Sequence, residues 1–217
     1  MSTKSKNRSF NWKKFSTNIN KLFEFFTRYS RLPINADRWE EFIYIVLRDM
    51  GEKYKGGLPR WDIGSHAPGA DIWIDRFSIS AKSGSIKNDF ITLSSNRLTR
   101  FELHEEMIQY IDGAGKNFDF YLCCARSQNK KKVNYSVFLI KPNVFKASSL
   151  KWEETFKKKD GLPSGWRGEG RNGICVEIIR KMSNQLWITI PLKKCTKISE
   201  FEISIDKLGA TPIPYLK

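Results

Sequence analysis

Apolar residues in the first quarter of the chain recur every three or four positions. In "FNWKKFSTNINKLFEFFTRYSRL" this spacing predicts a helix over about 11–30, closed by Pro33. "NADRWEEFIYIVLRDMG" repeats the pattern, with Asn35 and Asp37 as cap candidates and Gly51 as a stop. Its buried stripe is Trp39, Phe42, Ile43, Val46, Leu47 and Met50. "EKYKGGLPRWDIGSHAPG" has no period and reads as a loop punctuated by Gly and Pro. The period then shortens to two: "GADIWIDRFSISAKSG" reads as a hairpin and "DFITLSS" as a strand. "NRLTRFELHEEMIQYIDG" returns to helical spacing and stops at Gly113. "FDFYLCCARS" and "VNYSVFLIKP" are strands joined by a basic "QNKKK" turn. A short helix follows near 150–158, then a long loop, "DGLPSGWRGEGRNG". "ICVEIIRKMSNQLWITIP" reads as another hairpin and "FEISIDKLG" as a last strand. Helices first, then a mostly antiparallel sheet with one inserted helix, predict a single mixed α/β domain over 1–217, its central sheet flanked by helices.

The first hairpin carries a polar set. Side chains alternate faces along a strand, so Ala70, Ile72 and Ile74 oppose Asp71, Trp73 and Asp75. Past the turn, Phe77, Ile79 and Ala81 oppose Ser78, Ser80 and Lys82. A two-residue turn at Asp75-Arg76 sets Ile74 against Phe77 and Ile72 against Ile79, and the matched apolar faces pin that register. The same register puts Asp71 across from Ser80, with Lys82 one diagonal step away. Gly69 and Gly84 flank the cluster and permit close approach of a backbone or a ligand. The plain alternative is an amphipathic hairpin whose polar face is solvated.

Composition narrows the partner. The chain has 217 residues, 40% hydrophobic and 28% charged, the balance of a globular protein. No apolar run approaches the roughly 20 residues needed to span a bilayer. The polar, basic start "MSTKSKNRSFNWKKF" lacks the apolar centre of a secretory signal. A cytoplasmic protein is therefore expected, with 1–9 as a basic tail. Cys123 and Cys124 are adjacent in an apolar strand, and with Cys175 and Cys195 they form no CxxC spacing. They read as reduced core residues rather than zinc ligands. Two histidines do not make a histidine-rich metal site. The 38 Lys+Arg against 23 Asp+Glu leave a formal charge of +15, which favours a polyanion. Nucleic acid is the leading partner. A membrane surface fits less well, because no basic helix has a clean apolar face.

Hydrolysis of a phosphodiester suits the hairpin's groups. A carboxylate holds a hard divalent cation, which activates water and polarises the phosphoryl oxygen. A nearby lysine orients that water and stabilises the developing charge. "PGAD", a spacer and then "SAK" resemble the signature of the PD-(D/E)xK nuclease superfamily, in particular type II restriction endonucleases. Asp71 matches the first acid and Lys82 the lysine, while Ser80 stands where a second acid is usual. The resemblance covers about 36–125 in its order of elements: helix, hairpin, strand, helix, strand. It implies a Mg²⁺-dependent, site-specific endonuclease that cuts double-stranded DNA, commonly as a homodimer. Residues 36–125 would form its catalytic core, and 160–217 would hold recognition and C-terminal strands. It further implies that Asp71, the Ala81 carbonyl and Glu40 hold the metal. Lys82 would orient the attacking water, and Ser80 would contact a water of the metal's shell. The family places a glutamate on the helix before the hairpin. Of Glu40 and Glu41, helical geometry sets Glu41 opposite the buried stripe and Glu40 at its edge, which favours Glu40. Asp62 and Asp75 are reserve ligands.

Three segments are candidates for gripping DNA. "SSNRLTRFELH" puts Arg97 and Arg100 at an expected helix start, where phosphate is attracted. "SGWRGEGRNG" offers Arg167 and Arg171 on the expected Gly-rich loop, for guanine. "KMSNQLW" presents Asn184 and Gln185 at a turn, for adenine. Each has a structural alternative: a capped helix, an ordinary surface loop, and an Asn chosen for the turn's backbone. Two other functions remain open, a structure-selective junction or repair nuclease and a non-catalytic basic nucleic-acid-binding protein.

Overall fold

The computed structural model describes residues 10–63, 69–157, 159 and 161–210, so the expected basic tail at 1–9 lies outside the described residues. Helix α1 (Trp12–Tyr29) begins where the Asn11 side chain accepts the Lys14 amide at 2.9 Å, and it buries Phe15, Ile19, Phe23 and Thr27. Thr27 is tolerated in that stripe because its hydroxyl donates to the Phe23 carbonyl at 2.7 Å. Helix α2 (Ala36–Asp49) is capped by Asn35, which accepts the Arg38 amide at 3.0 Å. Gly51, at φ +78°, turns the chain out of it.

The strands follow: β1 (Arg60–Trp61), β2 (Ile72–Ile74), β3 (Phe77–Lys87) and β4 (Phe90–Arg97). After helix α3 (His104–Ala114) come β5 (Phe120–Gln128), β6 (Lys132–Ile140), β7 (Lys151–Phe156), β8 (Pro163–Glu169), β9 (Cys175–Ile179), β10 (Gln185–Pro191) and β11 (Thr196–Ser204). They form one mixed sheet in the order β11-β6-β5-β3-β4-β10-β9-β8-β7, and β2, paired with β1, joins the side of β3. Among the described residues only β3 and β5 run parallel, and the crossover between them carries β4 and α3. The mixed α/β class and the mostly antiparallel sheet are as expected.

Each face of the sheet has its own core. On one face, α1 and α2 bury Phe15, Phe23, Trp39, Ile43 and Leu47 against Ile72, Ile79 and Leu122. On the other, Met107 and Ile111 of α3 pack on Leu93, Cys123 and Ile188. The Trp39 indole N–H donates to the Leu122 carbonyl at 2.8 Å and fixes α2 across the sheet. Cys123 and Cys124 are buried free thiols. The N-terminal helix docks on the last strand: Ser199 donates to the Asn20 side chain at 2.6 Å, and the Gly209 amide donates to the Thr27 carbonyl at 2.8 Å. No helix among the described residues is long and apolar enough to cross a membrane.

Four segments differ from the pattern reading. The loop before the hairpin contains strand β1, too short to show a period. Helix α3 starts at His104, because Asn96 and Arg97 complete β4, and it runs past Gly113 to a cap at Gly115. The expected helix at 150–158 is strand β7, and half of the expected Gly-rich loop is strand β8, its antiparallel partner. The glycines of β8 serve close packing: a Cβ at Gly165 would overlap the Ile178 carbonyl, and one at Gly168 would lie 2.8 Å from the Trp152 ring.

Gly84 plays the same part in β3, where an added Cβ would lie 2.5 Å from the Thr92 carbonyl oxygen on β4. Gly84→Ala should therefore cost about 1–3 kcal/mol. Thermal melts should show a drop in Tm of roughly 2–12 °C for a chain of this size; an unchanged Tm would contradict that packing.

Candidate active site

One edge of β3 is shared by two strands that diverge. β2 pairs with it from Phe77 to Ile79, and β4 pairs with it only from Gly84 onward. Between these stretches, Ser80–Ser83 pair with β5 on the opposite edge alone. The Ala81 amide enters this gap, and a side chain satisfies it: Asp71 Oδ2 accepts the Ala81 N–H at 2.7 Å. The backbone places that carboxylate, since the Asp71 amide donates to the Ile79 carbonyl at 2.8 Å. The Ser80 hydroxyl donates to the same Oδ2 at 3.3 Å, and Lys82 Nζ stands 3.5 Å from it. The Lys82 ammonium also donates to the Ala81 carbonyl at 3.0 Å. The hairpin register that matches the apolar faces is the observed one, Ile74 against Phe77 and Ile72 against Ile79, and it brings Asp71, Ser80 and Lys82 together as expected.

The cluster on the polar face is largely withdrawn from solvent. Ser80 is 2% exposed, and the Asp71 and Lys82 side chains are 16% and 14% exposed. Across the parallel pair, Ser80 stands beside Tyr121 and Lys82 beside Cys123, on the face covered by α3. Glu40 approaches from α2, on the other face. Its Oε2 accepts the Trp61 indole N–H at 3.3 Å, and the Trp61 ring packs on Tyr44. Partial burial raises the Glu40 carboxyl above its usual range, and the Asp71 charge raises it further, against the Trp61 bond and the Lys82 charge. The two carboxylates thus lie near enough for their charges to interact. Glu41 instead pairs with Arg38 at 2.5 Å, so of the two helix acids Glu40 is the one that interacts with the charges of Asp71 and Lys82.

The donors available to a metal here are all oxygens. The hydrogen bonds to Asp71 fall on Oδ2, and Oδ1 takes none from the described residues. Glu40 and the Ala81 carbonyl complete the set. No group of three or more His, Cys, Asp or Glu side chains able to hold a metal occurs among the described residues. Two carboxylates and a carbonyl suit Mg²⁺, which keeps much of its water and is commonly bound through one or two carboxylates. The reserve acids are engaged elsewhere. Asp62 is gripped by Arg60 at 3.0 Å, and Asp75 accepts the Lys55 amide beside the hairpin turn.

The candidate DNA contacts sit differently from expectation. Arg97 ends β4, opposite Gln185. Arg100 lies in the following loop, its guanidinium 4.5 Å from the Tyr110 ring centre. Neither begins a helix, and the first turn of α3 carries Glu105 and Glu106, which disfavour phosphate. Arg167 is fixed on β8 by Glu169 at 2.8 Å and Glu177 at 3.1 Å. Arg171 lies exposed in the turn after β8. Asn184 has φ +50°, the backbone requirement that the alternative reading named. Gln185 is buried, and its amide donates to the Ser95 carbonyl. Trp61 and Tyr121 border the site unannounced by any periodicity, because pairing between distant strands puts them there. Comparison of the chain with models of known protein families, with curated proteins and with solved structures finds no match.

The raised Glu40 carboxyl has a signed consequence. The folded chain holds this proton more tightly than the unfolded one, so the associated stability is full below the unfolded pKa near 4.5 and is lost as pH rises through the raised value. Glu40→Gln cannot ionise and escapes that loss. Denaturant titrations without divalent metal should show stability of Glu40→Gln relative to the parent rising between pH 4 and pH 8; a pH-independent difference would contradict the placement of this carboxyl.

Proposed function

We propose that the chain is a Mg²⁺-dependent endonuclease that hydrolyses phosphodiester bonds of double-stranded DNA, an enzyme of the restriction type. The observation that carries this reading is the meeting of Asp71, Ser80 and Lys82 in the gap of β3, with Glu40 facing them from α2. The formal charge of +15 supports a polyanionic substrate. Asp71 and Glu40 would hold the cation, together with the Ala81 carbonyl. Bound there, Mg²⁺ would supply Lewis-acid polarisation of the phosphoryl oxygen and a more acidic water. Ser80 and the Ala81 amide fix the Asp71 carboxylate and leave Oδ1 for the metal. Lys82, held between Asp71 and the Ala81 carbonyl, offers its remaining protons to the attacking water and the phosphate.

One observation favours a second reading, a structure-selective nuclease for junctions or repair. Arg167 and Gln185, two of the groups suited to reading base edges, are spent on contacts within the sheet. Incubation of supercoiled plasmid with the protein and Mg²⁺ separates the two. Discrete fragments are expected, cutting confined to branched DNA supports the second reading, and binding without cutting in Mg²⁺ or Mn²⁺ overturns hydrolysis. Asp71→Asn, which still accepts the Ala81 amide, and Lys82→Ala should each slow cutting by roughly 10²–10³-fold or more. Parental rates in both variants would remove the site assignment.

A further inference from the structure

Beyond the gap, the α3 face of the sheet carries a groove that the chemistry above does not use. Tyr121 stands next to Ser80 across β3 and β5, and strands pair about 4.8 Å apart. Tyr121 also lines a cavity of about 280 Å³ between the C-terminal end of α3 and the 3-10 turns at Pro142–Val144 and Ala147–Ser149. That cavity shares Phe145 and Ser148 with a second, of about 790 Å³, which extends to Arg171 in the turn between β8 and β9. The two adjoin at these residues, and the first begins a single strand away from Ser80.

The charges of the groove suit a polyanion. Lys116 and Lys146 are exposed on the first cavity and Arg171 on the second. Its acids are engaged: Asp112 accepts the Ala147 and Ser148 amides at 2.6 and 3.2 Å, and Glu169 pairs with Arg167 at 2.8 Å. The Tyr121 hydroxyl forms no hydrogen bond with the described residues although the residue is 8% exposed. Burial, and after it the Asp71 charge, raise its pKa, so it remains a neutral donor.

We infer that this groove carries the backbone of a DNA strand away from the gap, with Lys116, Lys146 and Arg171 meeting successive phosphates and Tyr121 donating to the phosphate nearest Ser80. The inference rests on the nuclease reading for its substrate and adds the path that the substrate takes.

Fluorescence anisotropy of a labelled duplex with the full chain tests it, in Ca²⁺ so that no cutting is needed. Lys116→Glu combined with Lys146→Glu should raise Kd about tenfold or more and lower the salt slope by about two, the loss of two phosphate contacts. The matching Gln pair should give a smaller effect of the same sign. Lys13→Glu with Lys14→Glu, an equal charge change on exposed residues of α1 beyond the opposite face, should change Kd less than about threefold. All four lysines are exposed, so unaltered melting curves are expected and verify folding. An unchanged Kd and slope in the groove pair, or an equal loss in the α1 pair, overturns the inference. If the groove pair weakens binding while the parent chain never cuts in Mg²⁺, the hydrolytic reading falls and the groove stands.

Discussion

The structure turns on one hydrogen bond, from the Ala81 amide to the Asp71 carboxylate. Where β2 and β4 part along the edge of β3, the backbone has a donor and no strand to receive it. A buried amide without a partner costs about 1–3 kcal/mol. Asp71 meets that need with a charge, and the charge calls for the Lys82 ammonium beside it. The sheet therefore builds its own polar centre: a gap needs an acceptor, the acceptor is an acid, and the acid gathers a cation and a hydroxyl. The polar cluster and the pairing of the central strands are mutually dependent.

Two separate cores flank that centre. The α1/α2 core and the α3 core close opposite faces of the sheet, and both run up to the gap: Ala81 belongs to the first, and Tyr121 and Cys123, beside Ser80 and Lys82, to the second. Glu40 can sense Asp71 because α2 crosses the sheet close to the opening, held by the Trp39 bond to Leu122. Two carboxylates kept near each other, one raised by burial and by its neighbour, share the charge of the Lys82 ammonium.

Local features were legible in the sequence. Asn35 marked the start of α2, Gly51 its end, and the apolar positions of the first hairpin set its register and hence the meeting of Asp71 with Ser80. The edge position of Glu40 followed from helical geometry. The misreadings share a cause: local pattern was overridden by distant partners. Gly165 and Gly168 resemble loop glycines until the Ile178 carbonyl and the Trp152 ring press against them. Gln185 resembles a turn amide until β4 offers it the Ser95 carbonyl. Tyr121 acquires its place beside Ser80 only through a parallel pairing between residues some forty positions apart, which no window of sequence contains.

The docking of α1 on β11 has a kinetic side. The first helix finds Ser199, and the Thr27 carbonyl finds the Gly209 amide, across a separation of some 180 residues. During synthesis its apolar stripe must wait, uncovered on the side that β11 will later meet. Contacts of such long sequence separation slow the search for the native state. Completion of this face thus waits on the last strand, and exposed apolar surface of that kind is what favours misassembly in chains of this size.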